Sequence, residues 1–158
     1  MPNRIVTNTS PLIALGKMGA FDVIAQLPYE FICPTQVQTE IESGAAKGYA
    51  VTVPDWVKVL PLTAPLSPLV LAGLDRGEAE VIQLVLEQGI GLVCIDERKG
   101  RQAAAAAGLQ VVGSLGLLAK AKVLDLIPAA RPFIEKAMRG GIFYQPALVA
   151  QVLAVLKE

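Results

Sequence analysis

Short apolar runs of strand length alternate with helical patterns from one end of this 158-residue chain to the other. The clearest run is GLVCI at 91–95, which is apolar throughout, as expected of a central parallel strand that is covered on both faces. Shorter runs of the same kind lie at 5–6, 29–33, 57–62 and 110–113. Alternating strands and helices of this length call for right-handed crossover connections. We therefore predict an α/β fold, a three-layer α/β/α sandwich with a mainly parallel central sheet.

The chain is expected to form a single domain over residues 1–158, with residues 140–158 as a C-terminal helical extension. A chain of this length can bury one hydrophobic core, and no repeat or interdomain linker interrupts the pattern. Three helix starts are predicted from local signals. Ser10 and Ser114 are expected to act as N-caps, and Pro128 is expected to open a later helix.

Composition limits the chemistry that is available to the chain. It contains no histidine, which excludes Ser-His-Asp and Cys-His catalysis as well as zinc sites with histidine ligands. Carboxylates, lysines, hydroxyls and oxygen-ligated metals such as Mg²⁺ remain. The 14 basic and 14 acidic residues balance, so any affinity for nucleic acid must come from local clusters of charge.

The apolar content of the chain bears on its location and its partners. No run reaches the roughly 18 apolar residues of a membrane helix, and no signal peptide is recognisable, so we expect a cytoplasmic protein. Cys33 and Cys94 lie in apolar runs and are expected to be buried and unpaired. The mean hydropathy of +0.51 is high, which predicts that a second subunit covers part of the apolar surface in a homodimer.

Two polar residues stand at the ends of predicted strands. Asn8 follows the first apolar run, and Asp96 follows GLVCI. In an open parallel sheet, ligands bind beyond the carboxyl ends of the strands, which makes both residues candidates for a ligand site. The alternative for Asp96 is a helix N-cap ahead of the segment that begins near Arg98.

Helical phase places one glutamate of each of two helices on the apolar face. Glu40 shares its face with Val37 and Ile41, and Glu78 shares its face with Val81. An inward carboxylate without a partner is costly, so we expect Glu40, Glu78 and the strand-end aspartate to converge on a cation. The alternative is that Glu78 interacts favourably with its helix dipole while Glu40 extends to solvent. The outward polar stripe of the second of these helices consists of Glu80, Gln83 and Glu87.

A basic segment follows directly after the strand-end aspartate. It contains Arg98, Lys99 and Arg101. Such a run is commonly only a solvated helix start, but beside a carboxylate-bound metal it would place positive charge where a phosphodiester backbone needs it. Arg76 and the free backbone N–H groups that follow Ser10 are further candidates for phosphate contacts. No glycine-rich phosphate loop is present, which disfavours a nucleotide-binding α/β protein.

Four motifs together resemble those of the PIN-domain-like proteins. They are VTNTSPLIAL at 6–15, GEAEVI at 77–82, CIDERKGR at 94–101 with the alanine-rich helix after it, and VVGSLGLLAKAK at 111–122. The chain is most similar to a prokaryotic branch that is close to the toxins of toxin–antitoxin pairs. The resemblance extends to about Arg139, and the combination of motifs is much more specific than any single one.

The resemblance implies Mg²⁺- or Mn²⁺-dependent cleavage of single-stranded RNA. Matched motif by motif, the four acidic positions of the family correspond to Asn8, Glu40, Glu78 and Asp96, which would form the metal-binding and catalytic set. Ser10 matches a hydroxyl residue beside the first acid. In this interpretation Asp96 and Glu40 bind the metal directly, Glu78 binds it or orients water, and Asn8 holds a water ligand or a phosphate oxygen.

Asn8 departs from the family pattern, because an amide oxygen can bind Mg²⁺ but brings no charge. Three carboxylates in place of four should lower the affinity for metal. Asn8 has an alternative role in an Asx-turn that leads into the Ser10 cap, and both roles can hold together.

Two functions are therefore predicted. One is a metal-dependent endoribonuclease, a toxin with an antitoxin as its partner. The other is a PIN-like module with weak or no catalysis that binds RNA or protein. The apolar tail, with Leu148, Val152 and Val155, would then pack on a second subunit or on an antitoxin, unless it closes the core of its own domain.

Overall fold

The computed structural model describes residues 3–46 and 51–158, in which five parallel strands form one sheet in the order β3-β2-β1-β4-β5. The strands are β1 Asn3–Thr7, β2 Tyr29–Pro34, β3 Val57–Leu60, β4 Leu92–Cys94 and β5 Gln110–Val112. Each strand coincides with one of the five predicted apolar runs. The predicted α/β class, with a parallel central sheet flanked by helices, is confirmed.

Helices connect the strands and flank the sheet. They are α1 Thr9–Lys17, α2 Phe21–Ile24, α3 Thr35–Ala46, α4 Pro68–Leu71, α5 Arg76–Gln88, α6 Arg98–Ala106, α7 Ser114–Val123, α8 Arg131–Arg139 and α9 Pro146–Val155. Helix α5 packs against β1, β2 and β4, and it ends at Gly89, whose left-handed backbone (φ 64°) suits a residue without a Cβ. In the described ranges no helix has both the length and the apolar character that a bilayer span requires.

The two central strands form the middle of the core. Ile5 and Val6 of β1, Val93 of β4 and the adjoining Ile95 have no measurable exposure. Val6 is paired with Val93 in the parallel ladder between β1 and β4. Burial on both faces explains why these segments are continuously apolar in sequence. Cys33 and Cys94, on β2 and β4, are buried and free, as expected.

The prediction that Ser10 caps α1 is wrong. The helix begins one residue earlier, and Asn8 occupies the N-cap position with extended backbone angles (φ −83°, ψ 176°). The Ser10 hydroxyl instead donates a hydrogen bond of 2.8 Å to Glu97 Oε1. The Ser10 hydroxyl therefore bonds to a carboxylate far along the chain instead of capping its own helix.

The prediction that Ser114 caps α7 is also wrong. The cap position of α7 is Gly113, and Ser114 is the first helical residue. Its hydroxyl donates to Asp96 Oδ2 at 2.8 Å. The side chain therefore connects α7 to the end of β4.

Helix α8 begins at Arg131 rather than at Pro128, so this predicted start is also wrong. The backbone N–H groups of Ala130 and Arg131 donate to the carboxylate of Glu158, at 2.8 and 3.1 Å. Burial of Glu158 opposes its ionisation, but these bonds and one from Lys122 outweigh it and lower the pKa of Glu158 to about 2. The side-chain carboxylate of Glu158 thereby satisfies N–H groups at the start of α8.

The C-terminal helix packs mainly on its own domain. Leu153 and Leu156 are buried in the core, and α9 lies against α7. Val152 is half-buried, whereas Leu148 and Val155 are exposed. The tail thus closes its own core and leaves one apolar face uncovered in this chain.

Most of the polar stripe of α5 is covered, contrary to the prediction that it faces outward. Glu80 and Gln83 are buried, and the Gln83 amide donates to the carbonyl oxygens of Ala64 and Pro65, both at 2.9 Å. Glu87 accepts the N–H of Thr63 at 2.8 Å. Gln83 and Glu87 thus satisfy the backbone of a covering loop, while Glu80 pairs with Arg76.

Candidate functional site

The order of the strands reverses between β1 and β4. Strand β2 lies beside β1 on one side, and β5 lies beside β4 on the other. Asn8 comes directly after β1, and its backbone N–H donates to the carbonyl of Cys94 at 3.0 Å, so the two strand ends stay together. Asp96 follows β4 by two positions. Such a reversal opens a crevice at the carboxyl edge of the sheet, the usual place for a ligand in this architecture.

Three carboxylates meet at this edge. Asp75, Glu78 and Glu97 each bring one oxygen atom to within 4.8 Å of the others, and we call them the acidic cluster. Asp75 caps α5 by accepting the N–H of Glu78 at 2.8 Å, and the Glu78 carboxylate in turn accepts the N–H of Asp75 at 3.4 Å. Glu97 occupies the N-cap position of α6. An all-oxygen donor set of this kind suits Mg²⁺ or Mn²⁺.

The electrostatics of the acidic cluster centre on Glu78, which is only 2% exposed. Burial, a hydrogen bond with Glu97 and the charge of Asp75 raise the pKa of Glu78 to about 7, although the N–H of Asp75 acts in the opposite direction. This carboxyl group therefore keeps its proton to a much higher pH than an ordinary glutamate does. A divalent cation among the three side chains would favour the ionised form.

Glu40 lies at the same edge, between the beginnings of α1 and α5. Its carboxylate accepts a hydrogen bond from the Thr9 hydroxyl and a longer one, of 3.4 Å, from Gln36. A Cβ added at Gly77 would lie 2.6 Å from Glu40 Oε1. The glycine therefore leaves the space that the carboxylate occupies against the first turn of α5. Glu40 is half-buried and is not one of the three acids of the acidic cluster, although it lies against Gly77, the residue before Glu78.

Asp96 is held by the beginning of α7. Its Oδ1 accepts the backbone N–H of Ser114 at 2.7 Å, and its Oδ2 accepts the hydroxyl of the same residue. The Ser114 hydroxyl also lies 2.6 Å from the hydroxyl of Tyr144. Burial raises the pKa of Asp96, and the two bonds from Ser114 oppose this shift. The alternative that Asp96 caps α6 is not observed, because Glu97 takes that position.

The Asn8 side chain is 4% exposed and has no hydrogen-bond partner within the described ranges. The Asx-turn alternative is therefore not observed. Among the described residues, every fully enclosed side-chain nitrogen or oxygen atom has a hydrogen-bond partner. The amide of Asn8 has none among them, so it is not fully enclosed and retains some access to the crevice. An amide oxygen in this situation can still bind a hard cation or its water.

The candidate basic residues lie around the same edge. Arg98 and Lys99 are exposed on the first turn of α6, and Arg101 is half-buried and donates to the carbonyl of Ile95 at 2.8 Å. The exposed Arg76 forms an ion pair with the buried Glu80 at 3.3 Å. Positive charge is thus present next to the acids, although the Arg76 guanidinium is already paired with Glu80.

A groove of about 1110 Å³ opens beside the acidic cluster, and we call it the side groove. Its lining includes Ser10, Asp96 and Glu97 from the acidic edge. Most of the rest comes from α6, from residues 111–116 and from the C-terminal segment 142–152, which contributes Phe143. The groove therefore joins the acidic edge of the sheet to the C-terminal segment.

The structure thus brings the four sequence-predicted acidic positions to one edge but groups them differently from the prediction. Glu78 alone of that set belongs to the acidic cluster. Asp75 and Glu97 were not among the predicted ligands. The D-x-x-E spacing of a capping box and the position of Glu97 beside Asp96 were the signals that could have identified them.

The family model described as a PIN domain matches residues 4–158. The chain belongs to the PIN domain family. The match confirms the resemblance and runs through α9, beyond the Arg139 limit expected from the motifs. PIN domains are generally metal-dependent nucleases that use divalent ions, and the acidic cluster of this PIN domain offers a matching donor set. Among curated proteins, none matches the chain.

Proposed function

We propose that this PIN domain is an endoribonuclease that cleaves single-stranded RNA with Mg²⁺ or Mn²⁺. The observation that supports this most directly is the acidic cluster, which lies at the edge where the strand order reverses. Buried and crowded carboxylates with a raised pKa are typical of functional sites. The acidic cluster is therefore the main support for metal-dependent cleavage.

Glu78, Glu97 and Asp75 are the side chains that we expect to hold the ion, since their oxygen atoms are already grouped. A bound ion would lower the pKa of a water molecule and stabilise the charge that develops on the phosphate. The direct binding of metal by Asp96 and Glu40 and the water-holding role of Asn8 remain predictions from the resemblance.

We expect the other residues at this edge to orient the acids and to bind the substrate. Ser114 holds Asp96 through both carboxylate oxygens, so this acid presents a fixed orientation to the crevice. We expect the exposed Arg98 and Lys99 and the half-buried Arg101 to bind the phosphodiester backbone. Ser10 is tied to Glu97 and would orient that carboxylate.

The proposal extends to a toxin of a toxin–antitoxin pair, as the family resemblance implies. An antitoxin or a second copy of the chain would cover the exposed apolar side chains of the C-terminal segment, among them Leu148 and Val155. Cellular RNA as the substrate agrees with the expected cytoplasmic location.

A second candidate function is a PIN module with weak or no catalysis. The specific observation in its favour is Asn8, an amide where the family has an acid, which leaves the edge one negative charge short. Such a module would bind RNA or protein without cleaving it.

Cleavage of varied single-stranded RNAs in Mn²⁺ separates the two functions. We expect cleavage by the natural protein and a large loss in Glu78→Gln and in Asp96→Asn. Glu135→Gln is the matched control, because Glu135 is an exposed glutamate of α8. Cleavage by none of the proteins would favour the module, and equal cleavage by all four would contradict the assignment of the site.

A further inference from the structure

The side groove differs in chemistry from the acidic edge that it adjoins. Its lining includes Asp96 and Glu97, the second of which belongs to the acidic cluster. The same lining includes the apolar side chains of Phe143, Leu148 and Val152. A strand of nucleic acid with a phosphate at the acidic cluster would therefore have an apolar surface within the adjoining groove.

Phe143 is the most accessible large apolar side chain of this groove, with 79% of its surface exposed. Its neighbours Ile142 and Tyr144 pack against the core, and the Tyr144 hydroxyl bonds to Ser114 at 2.6 Å. The backbone on both sides of Phe143 is thus anchored, and the aromatic ring is held outward. A single exposed phenylalanine is ordinary, but one fixed beside a groove next to a candidate active site provides a stacking surface.

Two cationic side chains line the groove beside the acids and the apolar side chains. They are Arg98 and Arg101, both on α6. Arg98 is exposed, and Arg101 donates to the Ile95 carbonyl with one nitrogen atom of a guanidinium that carries five N–H donors. Cations in the same groove as an exposed aromatic ring are the pattern of a surface that binds single-stranded nucleic acid.

We propose that the side groove is a nucleobase subsite, in which an unstacked base of the RNA strand stacks on Phe143 while Arg98 and Arg101 hold the adjoining phosphates. The inference rests on the proposed function and names the feature of the substrate that is recognised. Bases in a duplex are paired and stacked on one another, so they cannot enter such a subsite. The C-terminal segment thereby becomes part of the substrate-binding surface and selects unpaired RNA.

Fluorescence anisotropy without added divalent metal measures this binding separately from cleavage. The probes are a short labelled single-stranded RNA and the same sugar–phosphate chain with abasic residues. The proteins are the natural chain, Phe143→Ala, Phe143→Tyr and the control Val123→Ala, which removes another exposed apolar side chain that lies outside the groove. Equal unfolding midpoints would show that the variants remain folded.

We expect Phe143→Ala to weaken binding of the intact RNA by roughly five- to a hundredfold, the range of one base–aromatic stack. Binding of the abasic chain should change little, and Phe143→Tyr should restore the affinity for intact RNA. Equal affinities of Phe143→Ala and Val123→Ala, or no preference of the natural chain for intact over abasic RNA, would overturn the subsite. In that case the apolar lining of the groove would be a surface for a segment of protein and not for a base.

The two proposals fail in different ways. Phe143-dependent binding by a protein that cleaves no RNA would uphold the subsite and contradict the nuclease. Cleavage that is unaffected by Phe143→Ala, together with unaltered binding, would uphold the nuclease and contradict the subsite.

Discussion

Glu78 and Glu97 bring one carboxylate oxygen each to within 4.8 Å of the other at the crevice, although one belongs to the first turn of α5 and the other precedes α6. Two carboxylates this close repel each other unless one of them holds a proton or a cation lies between them. A cation that enters between them would therefore displace a proton. This exchange underlies both the pH dependence and the metal dependence expected of the protein.

Stability without metal should fall as the pH rises through the range in which Glu78 ionises. Its pKa is raised from 4.5 to about 7 in the folded state, mainly by burial, so the folded chain binds more protons than the unfolded chain between these values. The favourable contribution is complete below about pH 4.5 and is lost by about pH 7, with a slope of at most about 1.4 kcal/mol per pH unit for one proton. Urea unfolding of the natural chain and of Glu78→Gln checks this. The difference between the two free energies of unfolding should vary across that window, and a constant difference would contradict the shift.

Asn8→Asp should raise the affinity for Mn²⁺ by roughly tenfold, or about 1.4 kcal/mol, because it adds a charged oxygen ligand at the strand end. Asn8 is buried and its side chain has no hydrogen-bond partner among residues 3–46 and 51–158, so the replacement breaks no bond that the structure describes. Calorimetric titration compares it with Asn8→Ala, which removes the amide oxygen. Identical affinities for all three proteins would place Asn8 outside the site.

Tyr144→Phe should lower the free energy of unfolding by about 0.5–1.5 kcal/mol, since the Ser114 hydroxyl loses one of its partners. RNA cleavage should also fall, because Asp96 depends on Ser114 for its orientation. Tyr29→Phe is the matched control, as its hydroxyl bonds to Lys120 away from the crevice. A similar loss of cleavage in both variants would count against the link between Tyr144 and Asp96.

Leu156→Ala should destabilise the chain by about 2–5 kcal/mol, because the side chain is buried in the core. Its neighbour Val155 is 77% exposed, so Val155→Ala should change the free energy of unfolding by less than about 0.5 kcal/mol. Chemical denaturation measures both. Equal, small effects would mean that α9 does not close the core of its own domain.

Local sequence patterns predict the sheet because its strands are buried between helices. Val93 and Ile95 have no exposure on either face, which leaves an uninterrupted apolar run that is easy to recognise. Helix starts are predicted less well. The hydroxyls of Ser10 and Ser114 bond to carboxylates on a different part of the chain, and no local rule anticipates those partners.

The candidate site is predictable only in part for the same reason. Helical phase identifies Glu78, since an acid on an apolar face is conspicuous, and the strand ends identify Asp96. Asp75 and Glu97 are exposed acids at N-cap positions, which local sequence identifies as caps rather than as ligands. Asp75 reaches Glu78 locally, through the capping box of α5. The approach of Glu97 to Glu78 is a tertiary contact between the segment after β4 and α5.

Direct titration with Mn²⁺ tests the central claim that the acidic cluster binds a divalent ion. We predict one binding event in the natural chain, with affinity reduced roughly tenfold or more in each of Asp75→Asn, Glu78→Gln and Glu97→Gln. The exposed Glu135→Gln should bind like the natural chain. No heat of binding in the natural chain, or the same affinity in all five proteins, would contradict the claim.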